Sequence, residues 1–293
     1  MIFTVTCNPA IDKTISNDKT SYTIGGKGIN VSKALNVLGI KTIATGFLGK
    51  DNGELVINDL DNNDISSDFI YVDGKVRCNT KSIINNELFE NNELGPFVEK
   101  QKQQDLLNKI VEIKNSTLII SGSVPSGVEK NYYKHIIEKA KSNNCYVILD
   151  TSKELLKEGI EAIPDVIKPN KDEICEYFNI QYDKNLVISK SKELIKKGIK
   201  LIVVSLGKNG SLFIFDDVVY EVPALEVKYV SSLCAGDSMV AGIAYGKEIG
   251  LSDLEMIKLA VSCASCSVEE VSTFTNKDKV FDYMNKVRIE VLK

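Results

Sequence analysis

Leu118-Ile119-Ile120-Ser121-Gly122-Ser123, followed by the stretch Tyr132 to Lys141 and then by Tyr146-Val147-Ile148-Leu149-Asp150, carries the reading of this chain. Two short apolar runs flank a segment whose apolar residues recur at helical spacing. Runs this short and this apolar read as strands buried on both faces, and a helix between two of them is the crossover that joins parallel neighbours. Outward from this unit the rhythm repeats. Strand-like runs occur at Ile2 to Thr6, Thr42 to Ala44, Val166 to Ile167 and Leu201 to Val204. Helical segments include Ser189 to Lys197 and a stretch with Val31, Ala34, Leu35 and Leu38 in phase, closed by Gly39. The expectation is an α/β fold with a mostly parallel sheet covered on both faces, and in such sheets ligands gather at the carboxyl ends of the strands. Polar residues stand at those ends: Asp12 after the first strand, then Ser121 and Ser123, Asp150, Asn170 and Ser205.

One region breaks the alternation. Phe69-Ile70-Tyr71-Val72, Lys75 to Ile84 and Leu88-Phe89 read as short strands joined by turns at Asp73-Gly74 and Asn85-Asn86. A sheet this small must bury one face, either over the cleft as a lid or against another copy of the chain. No repeat, low-complexity tract or proline-rich linker marks a second domain.

The bulk properties exclude several functions. Among 293 residues the formal charge is −4 and the pI about 5.4, with no basic stripe to track a nucleic-acid backbone. No apolar run approaches the roughly 18 residues of a membrane span, and Met1 to Thr20 lacks a leader pattern, so a cytosolic protein with no membrane or nucleic-acid partner is expected. Seven cysteines without framework spacing fit buried thiols of a reducing compartment. The pair Cys263 and Cys266 lies in a small-residue helix pattern with no second ligand pair to complete a zinc site. A single histidine, His135, on an amphipathic pattern gives no support to a hydrolase triad.

Two glycine-containing helix entries carry chemistry. Ser231-Ser232-Leu233-Cys234-Ala235-Gly236-Asp237-Ser238 runs into the helix-forming stretch Met239 to Ile249. Amides of a tight turn at a helix N-terminus form an anion site. An aspartate there would repel a phosphate unless it accepts a proton from an attacking hydroxyl; the plain alternative is that Asp237 caps the helix. The second entry, Gly25-Gly26-Lys27-Gly28-Ile29-Asn30-Val31, is neither a P-loop nor a G-x-G-x-x-G fingerprint. Its glycines let backbone approach a ligand closely, while Lys27 and Asn30 offer a charge and a two-way amide suited to a sugar phosphate. A helix-entry turn with a solvated lysine explains that segment equally well on its own.

Taken in order, these segments resemble the ribokinase-like PfkB carbohydrate kinases, and within them the phosphosugar branch of 1-phosphofructokinases and tagatose-6-phosphate kinases. The resemblance runs through Thr4-Val5-Thr6-Cys7-Asn8-Pro9-Ala10-Ile11-Asp12, Gly46-Phe47-Leu48-Gly49, Arg77-Cys78-Asn79-Thr80-Lys81 and Glu93-Leu94-Gly95-Pro96. It continues through Ser121-Gly122-Ser123-Val124-Pro125, Lys168-Pro169-Asn170-Lys171-Asp172-Glu173 and Val204-Ser205-Leu206-Gly207-Lys208-Asn209-Gly210. What it implies is one domain over 1–293, a three-layer αβα sandwich with a mostly parallel central sheet, and a β lid from about 13–24 and 69–97. It further implies ATP and Mg²⁺ as cofactors and transfer to a ketose phosphate, fructose 1-phosphate before tagatose 6-phosphate. By the same resemblance Asp237 is the general base and the amides of Cys234, Ala235, Gly236 and Asp237 stabilise the moving phosphoryl. Asp12, Gly25, Gly26 and Asn30 would hold the sugar, with Lys27, Arg77, Lys81 and Ser123 near its phosphate. Lys168, Asn170, Ser205, Gly207 and Gly210 would face the nucleotide, Asn170 and Glu173 would organise Mg²⁺, and the small-residue helix Ala260 to Ser267 would lie near the adenosine.

The chain departs from the family pattern twice. Cys234 stands where the family turn usually has glycine. A cysteine adopts positive φ poorly and its side chain adds bulk beside a phosphate, so an altered anion hole is expected; beside a helix N-terminus its thiol would also be activated for alkylation. Lys13 to Ile24 is a short version of a family segment that contributes lid strands. The lid should therefore be reduced, the sugar site more open to water, and a lid-mediated homodimer less favoured. A binding protein weak in catalysis is the competing reading, and a kinase of unphosphorylated sugars is disfavoured by Arg77 and Lys81.

Overall fold

The computed structural model describes residues 1–16, 19–84 and 87–292, without the side chains of residues 16, 19, 81–84 and 87–90. In chain order the first half comprises β1 (Ile2–Thr6), β2 (Ala10–Ser16), β3 (Lys19–Gly25), α1 (Lys27–Leu38), β4 (Thr42–Asp51), α2 (Gly53–Asn62), β5 (Ser66–Lys75), β6 (Arg77–Ile84), β7 (Glu87–Asn92), α3 (Lys100–Glu112) and β8 (Thr117–Ser121). Next come α4 (Tyr132–Ser142), β9 (Tyr146–Asp150), α5 (Lys153–Glu161), β10 (Val166–Ile167), α6 (Lys171–Phe178), α7 (Lys184–Lys196) and β11 (Leu201–Ser205). The chain closes with β12 (Ser211–Ile214), β13 (Val219–Val222), α8 (Ala235–Ile249), α9 (Asp253–Val268), α10 (Lys277–Met284) and β14 (Glu290–Leu292).

A ten-stranded sheet runs in the order β14-β13-β12-β11-β10-β9-β8-β1-β4-β5. Its pairings from β11 across to β5 are parallel, and the β12, β13 and β14 edge is antiparallel. The two-residue period of the strands divides the core. Leu118 and Ile120 of β8 pack with Ile110, Tyr133, Leu156 and Val187 from α3, α4, α5 and α7. Ile119, between them, packs on the opposite face with Leu35, Ile243, Ile257 and Val280 from α1, α8, α9 and α10. Strands buried on both faces need no polar alternation, which is why these runs are wholly apolar. Every residue from Leu118 to Ile120 is fully buried, as is Val147 to Leu149.

The second sheet, in the order β3-β2-β6-β7, is the lid. Two expectations change here. Residues 66–75, part of which reads as lid, form a strand of the central sheet, pairing parallel with β4. The lid strands are 10–16, 19–25, 77–84 and 87–92 rather than 13–24 and 69–97. The short segment after Asp12 still yields two paired strands, β2 against β3 from Ala10↔Gly25 to Ser16↔Lys19. The turn expected at Asn85-Asn86 lies outside the described residues.

Candidate active site

The carboxyl ends of the parallel strands carry a row of polar residues set by register. Thr6 pairs with Ser121 and Ser121 with Asp150, and Lys168 directly follows β10 beside them. Over this row lies the N-terminus of α1. A Cβ at Gly28 would come within 2.4 Å of Thr6 Oγ1 and 3.3 Å of Ser121 Oγ, so only glycine lets the helix settle so closely and bring Lys27 over the sheet. Gly26 precedes it with φ of 124°.

Asp237 sits in the first turn of α8 and is 4 % exposed. Asn30 Nδ2, one turn into α1, donates to its Oδ2 at 2.8 Å. Burial pushes the Asp237 carboxyl up to about 6, with Asp150 adding to the rise and Lys27, Asn30 and Lys168 opposing it. The group is thus ionised at neutral pH yet more basic than an ordinary carboxylate. Lys27 Nζ lies 3.1 Å and Lys168 Nζ 3.3 Å from the same oxygen, Asp150 Oδ1. Burial alone would lower the Lys27 ammonium, but Asp150, Asp237 and Glu173 outweigh it and hold it above its usual range. Burial likewise works against the Asp150 charge, and Lys168 and Lys27 overcome it to leave that carboxyl below its usual range.

The backbone of the turn answers the question of φ at Cys234. It is the N-cap of α8 with φ of −105°, a conformation open to any residue, so cysteine in place of glycine introduces no backbone strain. No side-chain hydrogen bond caps this helix; the Ala235 N–H donates to the Ser232 carbonyl at 3.3 Å, and the N–H groups of Gly236 and Asp237 are the ones positioned to meet a ligand. A Cβ on Gly236 would approach Lys168 Nζ to 3.1 Å, so that ammonium lies against the turn. Cys234 itself is buried, at 5 % exposure, which shields its thiol from alkylating reagents.

Beside this group a cavity of about 260 Å³ is lined by Lys27, Arg77, Ser123, Asn8 and Glu173, among others. Arg77 Nε donates to the Asn8 carbonyl at 3.2 Å, and Asn8 Nδ2 donates to Ser123 Oγ at 3.3 Å. Burial lowers the Arg77 guanidinium and the charge of Asp12 opposes that. Asp12 does not follow the first strand, as its sequence position suggests; it lies within lid strand β2, where Asn79 Nδ2 of β6 donates to its Oδ1 at 2.9 Å. Gly25 of the neighbouring strand β3 lies diagonal to it, two positions beyond its partner Thr23, and a Cβ there would fall 2.0 Å from Asp12 Oδ2. Lys81 lies on β6 paired with Thr14, and its side chain is outside the described residues.

On the other flank Asn170 and Glu173 form a capping box at the start of α6. Asn170 N donates to Glu173 Oε2 at 2.8 Å and Glu173 N donates to Asn170 Oδ1 at 2.9 Å. Ser205 at the end of β11 bridges to Asn170 through backbone. The following 3₁₀ turn, Gly207–Asn209, begins at φ of 60° with open space around Gly207. Gly210 has a packing reason to be glycine, since at φ of 94° a Cβ would strike the Val222 carbonyl at 2.0 Å. Among the described residues no cluster of three or more His, Cys, Asp or Glu could enclose a metal ion. One carboxylate and one amide, Glu173 and Asn170, fit an ion that keeps most of its water, as magnesium does on nucleotide phosphates. The thiols of Cys263 and Cys266 are raised by burial, the latter to about 12, as inert core thiols are. Asn8 is a residue that the sequence reading did not single out for a role in the site; Asp150 was read as one of the strand-end polar residues around the cleft, but its pairing with Lys27 and Lys168, which lie in other segments, was not visible.

A buried acid beside an uncapped helix turn, with ammoniums converging on the same point, defines a phosphotransferase with a hydroxyl acceptor. The model of the pfkB family of carbohydrate kinases matches residues 2–279, and the chain belongs to that family. It is 33 % identical to a 1-phosphofructokinase of Borreliella burgdorferi over 91 % of each chain, and 33 % identical to a D-tagatose-1-phosphate kinase of Bacillus licheniformis over 90 % of this chain and 91 % of that one. A tagatose-6-phosphate kinase of Staphylococcus epidermidis is 32 % identical over 100 % of this chain and 99 % of its own length. Phosphofructokinase-2 of Escherichia coli shares the fold at a TM-score of 0.90 and 24 % identity, covering 97 % of this chain and 98 % of its own. No described helix is long and apolar enough to cross a membrane.

Proposed function

We propose that this chain transfers the γ-phosphoryl group of ATP to a hydroxyl of a ketose phosphate, with fructose 1-phosphate as the first substrate and fructose 1,6-bisphosphate as its product. The observation that carries this reading is the pairing of two features in one cleft. Asp237 is buried and fixed by Asn30, and the adjoining cavity presents Lys27 and Arg77, cations suited in charge and donor geometry to a phosphate that the sugar already carries. Two of the relatives above are named for ketoses phosphorylated at carbon 1, which favours fructose 1-phosphate. The Staphylococcus epidermidis relative supports tagatose 6-phosphate as the second substrate.

In this reading Asp12, Asn30 and the backbone at Gly25 and Gly26 hold the sugar hydroxyls, and Arg77, Lys27, Lys81 and Ser123 take its phosphate. Asp237 orients the attacking hydroxyl and accepts its proton late in transfer; a carboxylate near pH 6 is well matched to that task. The first-turn amides of α8 and the Lys168 ammonium stabilise charge on the moving phosphoryl. Lys168, Asn170, Ser205 and the turn at Gly207 to Gly210 face the nucleotide. Asn170 and Glu173 hold Mg²⁺ through its water, and the ion supplies charge neutralisation on the phosphates. The ordinary backbone at Cys234 removes one ground, a strained turn, for reading the chain as a catalytically weak binding protein.

The test is phosphoryl transfer to fructose 1-phosphate, tagatose 1-phosphate, tagatose 6-phosphate, fructose 6-phosphate and free sugars, with Asp237→Asn beside the wild type. Transfer to a 1-phosphorylated ketose with turnover reduced roughly 10²- to 10⁴-fold in Asp237→Asn is expected. Absence of transfer to every phosphate refutes the substrate class, and near-normal turnover in the variant removes Asp237 from its role.

A further inference from the structure

Two buried carboxylates lie near the ends of the central strands, and they are held in different ways. Asp165, just before β10, accepts from the backbone N–H of Val147 at 2.8 Å as well as from Lys141 and Lys200, so it ties one strand to the next. Asp150, at the opposite end of β9, is fully buried. Among the described residues its side chain meets two ammoniums, Lys27 and Lys168, both on Oδ1, while its Oδ2 has no hydrogen-bond partner. Asp150 therefore joins no backbone segments. It joins two lysines that reach it from different parts of the fold.

Lys27 comes from the start of α1, over the cavity that also holds Arg77. Lys168 comes from the loop after β10 and lies against Gly236 in the turn before α8. Two like charges brought to one point repel, and each would otherwise turn toward the nearest anion. For Lys27 the second carboxylate in its field is Asp237. A lysine closed on Asp237 would neutralise the group that must take the hydroxyl's proton.

We propose that Asp150 is a positioning residue for phosphoryl transfer: it gathers one ammonium from the sugar side and one from the nucleotide side at the catalytic turn, and keeps Lys27 from closing on Asp237. The trio carries one net positive charge, enough to draw a phosphoryl group without presenting a bare dication. The inference rests on the reading of Asp237 as the base. The charged groups that face Asp237 are Lys27 from α1, Asp150 from β9 and Lys168 after β10, with the neutral amide of Asn30 bonded to it. Because Asp150 raises the proton affinity of Asp237 and Lys168 lowers it, the two neighbours leave opposite signatures in a pH profile.

Asp150→Asn keeps the side-chain volume and removes the charge. We expect kcat to fall roughly 10- to 100-fold with the KM for fructose 1-phosphate within a few-fold, and the acid limb of kcat/KM to move to lower pH. Lys168→Met is expected to move that limb to higher pH. A loss of kcat in Asp150→Asn with the acid limb unmoved makes Asp150 a scaffold residue and overturns the proposal, as does turnover within a few-fold of wild type. Should Asp150→Asn fail to fold, an unmoved acid limb in Lys168→Met overturns it equally. Either result leaves the base assignment standing, whereas retained turnover in Asp237→Asn would remove that assignment itself.

Discussion

Replacing Asp237 with asparagine is expected to make the folded chain more stable while disabling it, and the gain should grow with pH. In the folded state the carboxyl is raised from 3.8 to about 6. The folded form therefore holds its proton more tightly than the unfolded chain does. The stability this adds is complete below the unfolded value near 3.8 and is lost as pH rises through about 6, so above that the ionised group is a net cost. At about 1.4 kcal/mol for each unit, the cost at neutral pH is on the order of 1–3 kcal/mol, the lower figure allowing for the lysines that share the site. Asparagine avoids it, and its carbonyl still accepts from Asn30. For a domain of this size the gain corresponds to a rise in Tm of roughly 2–6 °C. Thermal unfolding of wild type and Asp237→Asn, without nucleotide or sugar, at intervals from pH 4.5 to 8.5 measures it. A Tm difference that does not widen as pH rises, or a variant less stable than wild type at pH 8, refutes the reasoning.

Two glycine substitutions separate site effects from packing effects. Gly25→Ala leaves backbone torsions undisturbed but sets a Cβ 2.0 Å from Asp12 Oδ2, so steady-state kinetics should show the sugar-phosphate KM raised roughly 10-fold or more while Tm stays within a few degrees. Gly242→Ala places its Cβ 2.6 Å from the Ala260 Cα on the facing helix; overpacking of about 1–3 kcal/mol exceeds the ~1 kcal/mol gained in helix propensity, and denaturant titration should record a net loss.

The central sheet and both glycine-containing helix entries were legible because their signals are local: apolar runs of strand length, a helical period between them, and glycines at the helix starts. Residues 69–72 misled for a physical reason. Four apolar residues followed by Asp73-Gly74 read the same whether the strand caps a small sheet or edges a large one, and only the parallel pairing with β4 decides it. Asp12 misled in the same way, since a residue soon after a strand can lie in a loop or, as here, in the next sheet. The concern over Cys234 came from a family pattern with glycine at that position, and a φ of −105° shows that this turn does not require one. The yoke at Asp150 was out of reach, because its partners lie 123 residues before it and 18 after it and nothing in either segment announces the other.

The hydrogen bond between Asn30 and Asp237 spans 207 residues. On a ribosome adding roughly 5–20 residues each second, Asn30 therefore waits some ~10–40 s for its partner to be made. Once synthesis has passed Arg77 the nascent chain contains Asp12, Lys27 and Arg77 but lacks the acid and the helix turn that would engage a phosphoryl group. Catalytic competence thus arrives late in synthesis, when α8 docks against α1, and a growing chain meets ATP and sugar phosphate without the means to react them.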